Sequence, residues 1–337
     1  MVSQLDESHT HVPVLINEVI SLLAPRPGGR YVDATAGAGG HLEAILTESA
    51  PDGQCLGLDR DESALELCRS RLHRFESRVK FVRDDFRNLG QVLDRIGWGE
   101  PQTLDGILLD IGVSSMHLDQ PSRGFSFRTS GPLDMRMDQT QGPTASDLVN
   151  DLDEQALAGL IDGLGEERFA RRVARAIVDR RSYRAFEETT DLADCIANAI
   201  PRQRRQSPRG TPTIHPATRT FQALRIAVNG ELDALGSVIP QALRAVRPGG
   251  RIAIISFHSL EDRIVKLAFS RAAGRCQCPP RLPVCICGAT ASVRVLTPKP
   301  LVATEDETNQ NPRSRSARLR VVEVGAGEET QVPRHDW

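Results

Sequence analysis

The sequence predicts an α/β fold, a parallel sheet carrying a smaller inserted helical domain. Three observations predict it. Between Val14 and Asp110, short apolar runs alternate with helical patterns. The runs end on acids at Asp33, Asp59, Asp84 and Asp110, which lines the carboxyl ends of the strands, where such sheets hold ligands, with polar groups. The alternation stops near His117 and returns after His215.

Leu15, Val19 and Leu22 recur at helical spacing, so a short amphipathic helix precedes a first strand ending at Asp33. A helix is expected over 41–48, a strand over 54–59, and a helix marked by Leu65, Cys68 and Leu72. Residues 79–82 read as a strand, Leu89, Val92, Leu93 and Ile96 as a helix, and 105–110 as the fourth strand. After His215, one helix is expected to about Asn229 and another over 232–246. Residues 247–250 read as a turn, 251–256 as a fifth strand, and the next helix ends near Ala272. Residues 293–296 and 317–324 alternate as a closing pair of strands. The expected organisation is a discontinuous sheet domain (1–116 and 215–324), an inserted helical substrate-recognition domain (117–214) and a flexible tail (325–337).

The run Asp33-Ala34-Thr35-Ala36-Gly37-Ala38-Gly39-Gly40-His41 places three glycines in four positions between strand and helix. Glycine there admits φ values closed to other residues and lets backbone approach a ligand, and the helix start offers free N–H groups. A dinucleotide site wants a small third residue in its G-x-G-x-x-G/A pattern; counted from Gly37, that position is Leu42. This weakens an NAD-dependent reading. The turn suits a ligand without a pyrophosphate, such as S-adenosylmethionine, with Asp59 placed for its ribose hydroxyls. Phe86, beside carboxylates at the third strand's end, could cover an adenine or equally serve the core.

Lys and Arg total 42 against 44 Asp and Glu, a net charge of −2, so only local patches could attract nucleic acid. Residues 1–10 contain Asp6 and Glu7 and no apolar core, so no signal peptide is expected. No apolar run approaches bilayer-spanning length, and no membrane partner is expected. Seven cysteines, an odd number, fit a reducing cytoplasm.

Helical patterns in the insertion run over 145–164 and 166–181. The second sets Arg168, Arg171, Arg172, Arg175, Arg180 and Arg181 apart from Phe169, Val173, Ala176 and Ile177, giving one packing face and one positive face. With the basic stretch 202–209, this reads as an insertion positioned over the crevice. Cys276, Cys278, Cys285 and Cys287 form two C-x-C pairs whose thiolates could hold zinc. Structural zinc usually uses C-x-x-C, so the expectation is no metal, with zinc the lesser alternative.

Residues 33–41, 106–115, 123–128, 131–138, 165–168, 215–225 and 256–266 together resemble the bacterial 16S rRNA cytosine-N4 methyltransferases, and the likeness runs from His11 to about Val324. The resemblance implies a Rossmann-like class I methyltransferase sheet with an inserted helical domain. It implies S-adenosylmethionine as donor and, as substrate, a P-site cytidine of 16S rRNA within the small ribosomal subunit. It puts the donor against Gly39, Gly40 and His41, Asp59 on the ribose, Phe86 near the adenine and Asp110 beside the reacting end. Members often carry Gln where this chain has His117, so that contact would change in reach and titration. A homodimer is allowed.

Such a reaction needs an acceptor for the protons of a weakly nucleophilic exocyclic amine. Asp110 is the first candidate, followed by His258 and Asp262 from the fifth strand's end. Methylation at ring carbon 5 would need a cysteine nucleophile, and none lies at the fourth or fifth strand end. The D/N/S-P-P-Y/F signature of many amino-methyltransferases is absent after Leu109, so the N4 target rests on the resemblance. Arg313, Arg315, Arg318 and Arg320, with residues 168–181, are the candidate phosphate contacts. A methyltransferase acting on a protein or small metabolite is the alternative.

Overall fold

The computed structural model describes residues 13–112, 119–201, 215–276, 278, 286 and 288–325. The chain divides into two compact units, Met1–Gly112 with Asp233–Trp337, and Val113–Leu232.

The first unit begins with α1 (Ile16–Leu23), β1 (Arg30–Asp33), α2 (Gly40–Glu48), β2 (Gln54–Asp59) and α3 (Glu62–Arg71). It continues through β3 (Val79–Arg83), α4 (Leu89–Ile96) and β4 (Leu104–Asp110). These strands pair in parallel around β1, and with β5 (Val246–Ser256), β6 (Val293–Val295) and β7 (Arg318–Val324) the whole sheet has the order β3-β2-β1-β4-β5-β7-β6. Strands covered on both faces read as unbroken apolar runs, and Val32, Leu56, Leu58, Ile107, Leu108 and Leu109 are all fully buried. Successive side chains take opposite faces. Ile107 and Leu109 pack with Leu89, Val92 and Leu93, while Leu108 packs on the other side with Leu15, Val19 and Ile45.

In the second unit the expected helix over 145–164 is two, α5 (Ala145–Asp151) and α6 (Glu154–Gly165). Leu152 is extended between them, and Asp153 caps α6 by accepting from the Ala156 amide at 2.7 Å. Apolar periodicity continues through a break of this kind, but the cap ends one helix and starts the next. α7 (Ala170–Arg181) starts later than expected because Glu166, at φ 49°, closes α6. α8 (Thr189–Ala199) was not anticipated. Phe186, Leu157, Ile161, Val173, Ile177, Leu192 and Ile196 form the unit's core.

α9 (Thr218–Asn229) belongs to this second unit, although the sequence reading placed it with the sheet. Phe221 and Leu224 join the helical core. Gly165 lies so close to α9 that an added Cβ would stand 2.6 Å from the Arg219 carbonyl oxygen. Buried Asn229 accepts from the Met137 amide at 2.9 Å and donates to the Met135 carbonyl at 2.8 Å, fixing the loop before α5.

α10 (Glu231–Ala245) leads to β5 (Val246–Ser256), α11 (Ser259–Ala272), β6 (Val293–Val295), α12 (Glu305–Gln310) and β7 (Arg318–Val324). The turn expected over 247–250 is instead an irregularity within β5: Leu104 pairs with Val246, and Gly106 already with Arg251. β7 runs antiparallel to both β5 and β6, the closing pair that the alternation foretold. No helix among the described residues is long and apolar enough to cross a membrane.

Candidate active site

β1, β2 and β4 end side by side on Asp33, Asp59 and Asp110, and the segment after β1 stitches them together. The Ala34 amide donates to Leu108 O and the Ala36 amide to Leu58 O, each at 2.9 Å. Between them, Thr35 donates its amide to Asp33 Oδ1 at 3.1 Å, and its hydroxyl accepts from the Asp110 amide at 2.6 Å. Thr35 thus locks the tip of β4 to the turn. Sequence reasoning passed over it, because a threonine in a turn carries no motif of its own.

The turn then presents Gly37, at φ 50°, with its amide donating to Asp59 Oδ2 at 2.9 Å. Among the described residues a Cβ there would meet only Thr35 O at 3.8 Å, so this glycine borders open space on their side. The other two are shaped by protein: a Cβ on Gly39 would stand 2.7 Å from Cys68 Sγ, and one on Gly40 2.3 Å from Pro13 Cγ. Gly57 on β2 clears Leu42, whose Cδ2 would be 2.9 Å from an added Cβ. The close helix–strand packing that a dinucleotide motif obtains with a small helix residue is obtained here with a small strand residue.

Asp59 also accepts from the Asp61 amide at 2.9 Å through Oδ1, which fixes its carboxylate at the rim. Phe86 is half-buried against the sheet's core in a short 3-10 turn after β3. Its acidic neighbours are engaged: Asp84 pairs with Arg95, and Asp85 with Arg60 and Arg87.

Asp110 is the centre of the arrangement. A quarter of its side chain is exposed, yet Oδ1 is buried without a hydrogen-bond partner among the described residues. Burial pushes its carboxyl up to about 8, and the charges of Asp33 and Glu261 add to the effect. Burial likewise pushes Asp33 up to about 7, against the Thr35 amide, which lowers it. His41, 6% exposed, stands at the start of α2 with Nδ1 3.7 Å from Asp110 Oδ2 and Nε2 2.9 Å from the Val14 carbonyl oxygen.

The raised carboxyl carries a stability consequence. The folded chain holds a proton on Asp110 that the unfolded chain loses near pH 4, so stability falls as pH rises from there towards about 8. Asp110→Asn should therefore raise the unfolding temperature of the ligand-free protein by a few degrees at alkaline pH, with a smaller gain near pH 5; thermal melts at both pH values check this.

The other expected acids and bases do not join the group in the same way. His258 caps α11, its Nδ1 accepting from the Glu261 amide at 3.4 Å. Asp262 is clamped: Oδ1 accepts from Arg320 Nε at 2.6 Å, and Oδ2 accepts from Arg320 Nη2 and Arg318 Nη1 at 3.1 and 3.2 Å. Those guanidinium groups hold its carboxyl below the usual range despite burial. Arg320 is itself buried, so it ties β7 to α11 and is no phosphate contact.

Arg180 pairs with Asp191, and Arg181 donates to the Val149 and Leu152 carbonyls, so the exposed arginines of α7 and its approach reduce to Arg168, Arg171, Arg172 and Arg175. His117, Cys285 and Cys287 lie outside the described residues; Cys276 is exposed and its Sγ accepts from the Cys278 amide at 3.4 Å.

A seven-stranded sheet in this order, with β7 antiparallel in an otherwise parallel centre and carboxylates at the tips, is a Rossmann-like class I methyltransferase fold. Comparison with known proteins narrows the class. The MraW methylase family model matches residues 8–325, and the chain belongs to that family. Among its relatives is a ribosomal RNA small subunit methyltransferase H from Symbiobacterium thermophilum, 51% identical over 322 residues, covering 95% of this chain and 99% of that one. Proteins of the same name from Heliobacterium mobile and Geobacter sulfurreducens are 49% and 51% identical, each match covering 93% of this chain and 98% of the relative.

Proposed function

We propose that the protein transfers a methyl group from S-adenosylmethionine to the exocyclic N4 of a P-site cytidine in 16S rRNA of the small ribosomal subunit. The observation that carries the reading is Asp110 Oδ1 at the β4 tip, an acceptor with no hydrogen-bond partner among the described residues. The residues present fit such a donor: Gly37 leaves an open backbone cradle, Asp59 is fixed for hydroxyl groups, and the partly exposed Asp110 carboxyl stands at the β4 tip as a counter-charge for a cation. When bound, the donor supplies an electrophilic methyl whose sulfur keeps the C–S electron pair as nitrogen takes the carbon.

The chain's own work is to hold and deprotonate the amine. Cytosine N4 shares its lone pair with the ring, and an acceptor on its N–H favours the pyramidal nitrogen. Asp110 is that acceptor and takes the proton; Asp59, with the Gly37 turn and the N-terminus of α2, holds the donor, and Phe86 flanks its adenine. His258 and Asp262 support the strand ends as cap and ion pair. The buried thiols cannot serve a ring-carbon mechanism: burial raises Cys68 to about 12 and Cys55 further still.

The substrate reaches the site as an unpaired or extruded base, and the exposed arginines of α7 contact phosphate. Reversing Arg171 and Arg172 to Glu should weaken RNA binding about tenfold or more and flatten its salt dependence by about two contacts, with donor-product affinity unchanged. Filter binding across a salt series measures both. The reading as a whole is tested by digesting small subunits after incubation with enzyme and donor. Mass spectrometry should find N4-methylcytidine; 5-methylcytidine, or label on protein alone, would refute it.

A further inference from the structure

His41 is buried at the first turn of α2, and its two ring nitrogens face different partners. The Val14 carbonyl can only accept, so Nε2 carries a hydrogen and donates at 2.9 Å. In the neutral ring Nδ1 is then the bare nitrogen, and it points at Asp110 Oδ2 from 3.7 Å. An unprotonated nitrogen and a carboxylate oxygen this close repel unless a proton lies between them. The contact therefore holds a proton, on the carboxyl or on the ring.

From this geometry we infer that His41 is the proton partner of Asp110: once donor binding has released the pair's resting proton to solvent, Asp110 meets the amine as a carboxylate and Nδ1 is free of a proton and able to accept one from it. The inference rests on the methyl-transfer reading above. As the amine is methylated, its proton moves to Asp110 and then to Nδ1. The carboxylate is restored, the ring becomes imidazolium, and the ring releases the proton before the next cycle. Nothing but the proton changes hands. His41 acts through Asp110 and is a positioning residue.

The groups around the pair decide its balance. Asp33 on β1 and Glu261 on α11 push the Asp110 carboxyl up, and Asp59 on β2 does the same to Asp33, so in the ligand-free pair the carboxyl competes with an imidazolium for the proton. The positive end of α2 opposes the imidazolium.

Nitrogen-15 NMR of histidine-labelled, ligand-free protein reads the claim without turnover. The expected result is a neutral His41 protonated at Nε2 and bare at Nδ1, whose titration shifts in Asp110→Asn. A neutral ring protonated at Nδ1, or a titration indifferent to Asp110, overturns the inference, and this holds even where a His41 variant fails to fold. His41→Gln retains an amide donor for Val14 O and lacks the base. Its single-turnover rate at saturating donor should fall about tenfold or more at neutral pH and keep rising at alkaline pH where wild type has levelled off. A wild-type pH profile in His41→Gln contradicts the relay. Failure of wild type to bind the donor at all would instead refute the methyl-transfer reading.

Discussion

Asp110→Ala should lower single-turnover methyl transfer by about 10²–10⁴-fold, the range of a lost general base, while S-adenosylhomocysteine still binds. The expectation follows from how the residue is held. Its amide is fixed by the Thr35 hydroxyl, which sets the end of β4, and its Oδ1 has no partner among the described residues. The side chain is thus set in place by backbone, and no hydrogen bond among the described residues depends on its Oδ1. Deleting it removes chemistry while leaving the sheet's core, Ile107 to Leu109, in place. Turnover within about threefold of wild type would remove Asp110 from the reaction.

The second large effect is on donor binding. In the free protein Asp110 is protonated below about pH 8, with Asp33 following about one unit lower. A sulfonium cation nearby favours the carboxylate and lowers these values, so donor binding expels a proton and strengthens as pH rises towards 8. S-adenosylhomocysteine has the same amino-acid and nucleoside ends without the charge. The ratio of the two affinities therefore isolates the carboxyls: it should rise by about tenfold or more between pH 6 and 8.5, then level off. Asp110→Asn should flatten the upper part of the rise. Calorimetry with both ligands at several pH values measures it, and a ratio independent of pH would contradict a cation seated beside Asp110.

The sheet was legible because its strands are buried on both faces, and Leu56, Leu58, Ile107 and Ile254 read as apolar runs wherever they occur. The strand-end acids were legible too, since Asp33, Asp59 and Asp110 follow those runs directly. Pairwise contacts were not. Asp262 follows the fifth apolar run as Asp110 ends the fourth, yet it lies in the first turn of α11, and only its partners Arg318 and Arg320, more than 50 residues later, show it to be a structural ion pair. Thr35 and His41 gain their roles from atoms on β4 and from Val14 O. In the helical unit, periodicity located the apolar face of α7 but could not reveal that Arg180 and Arg181 bend back onto Asp191 and the Val149 carbonyl. α9 was misplaced because its sequence follows a resumed helical pattern, and only packing against Gly165 shows its unit.

The most direct test of the central claim is calorimetric titration of S-adenosylmethionine and of NAD into wild type and Asp59→Asn. The account predicts one site for S-adenosylmethionine, no heat from NAD, and affinity about 10–100-fold weaker in the variant, where the carboxylate acceptor for hydroxyl groups is lost. Equal affinity in wild type and Asp59→Asn, or uptake of NAD in place of S-adenosylmethionine, would contradict it.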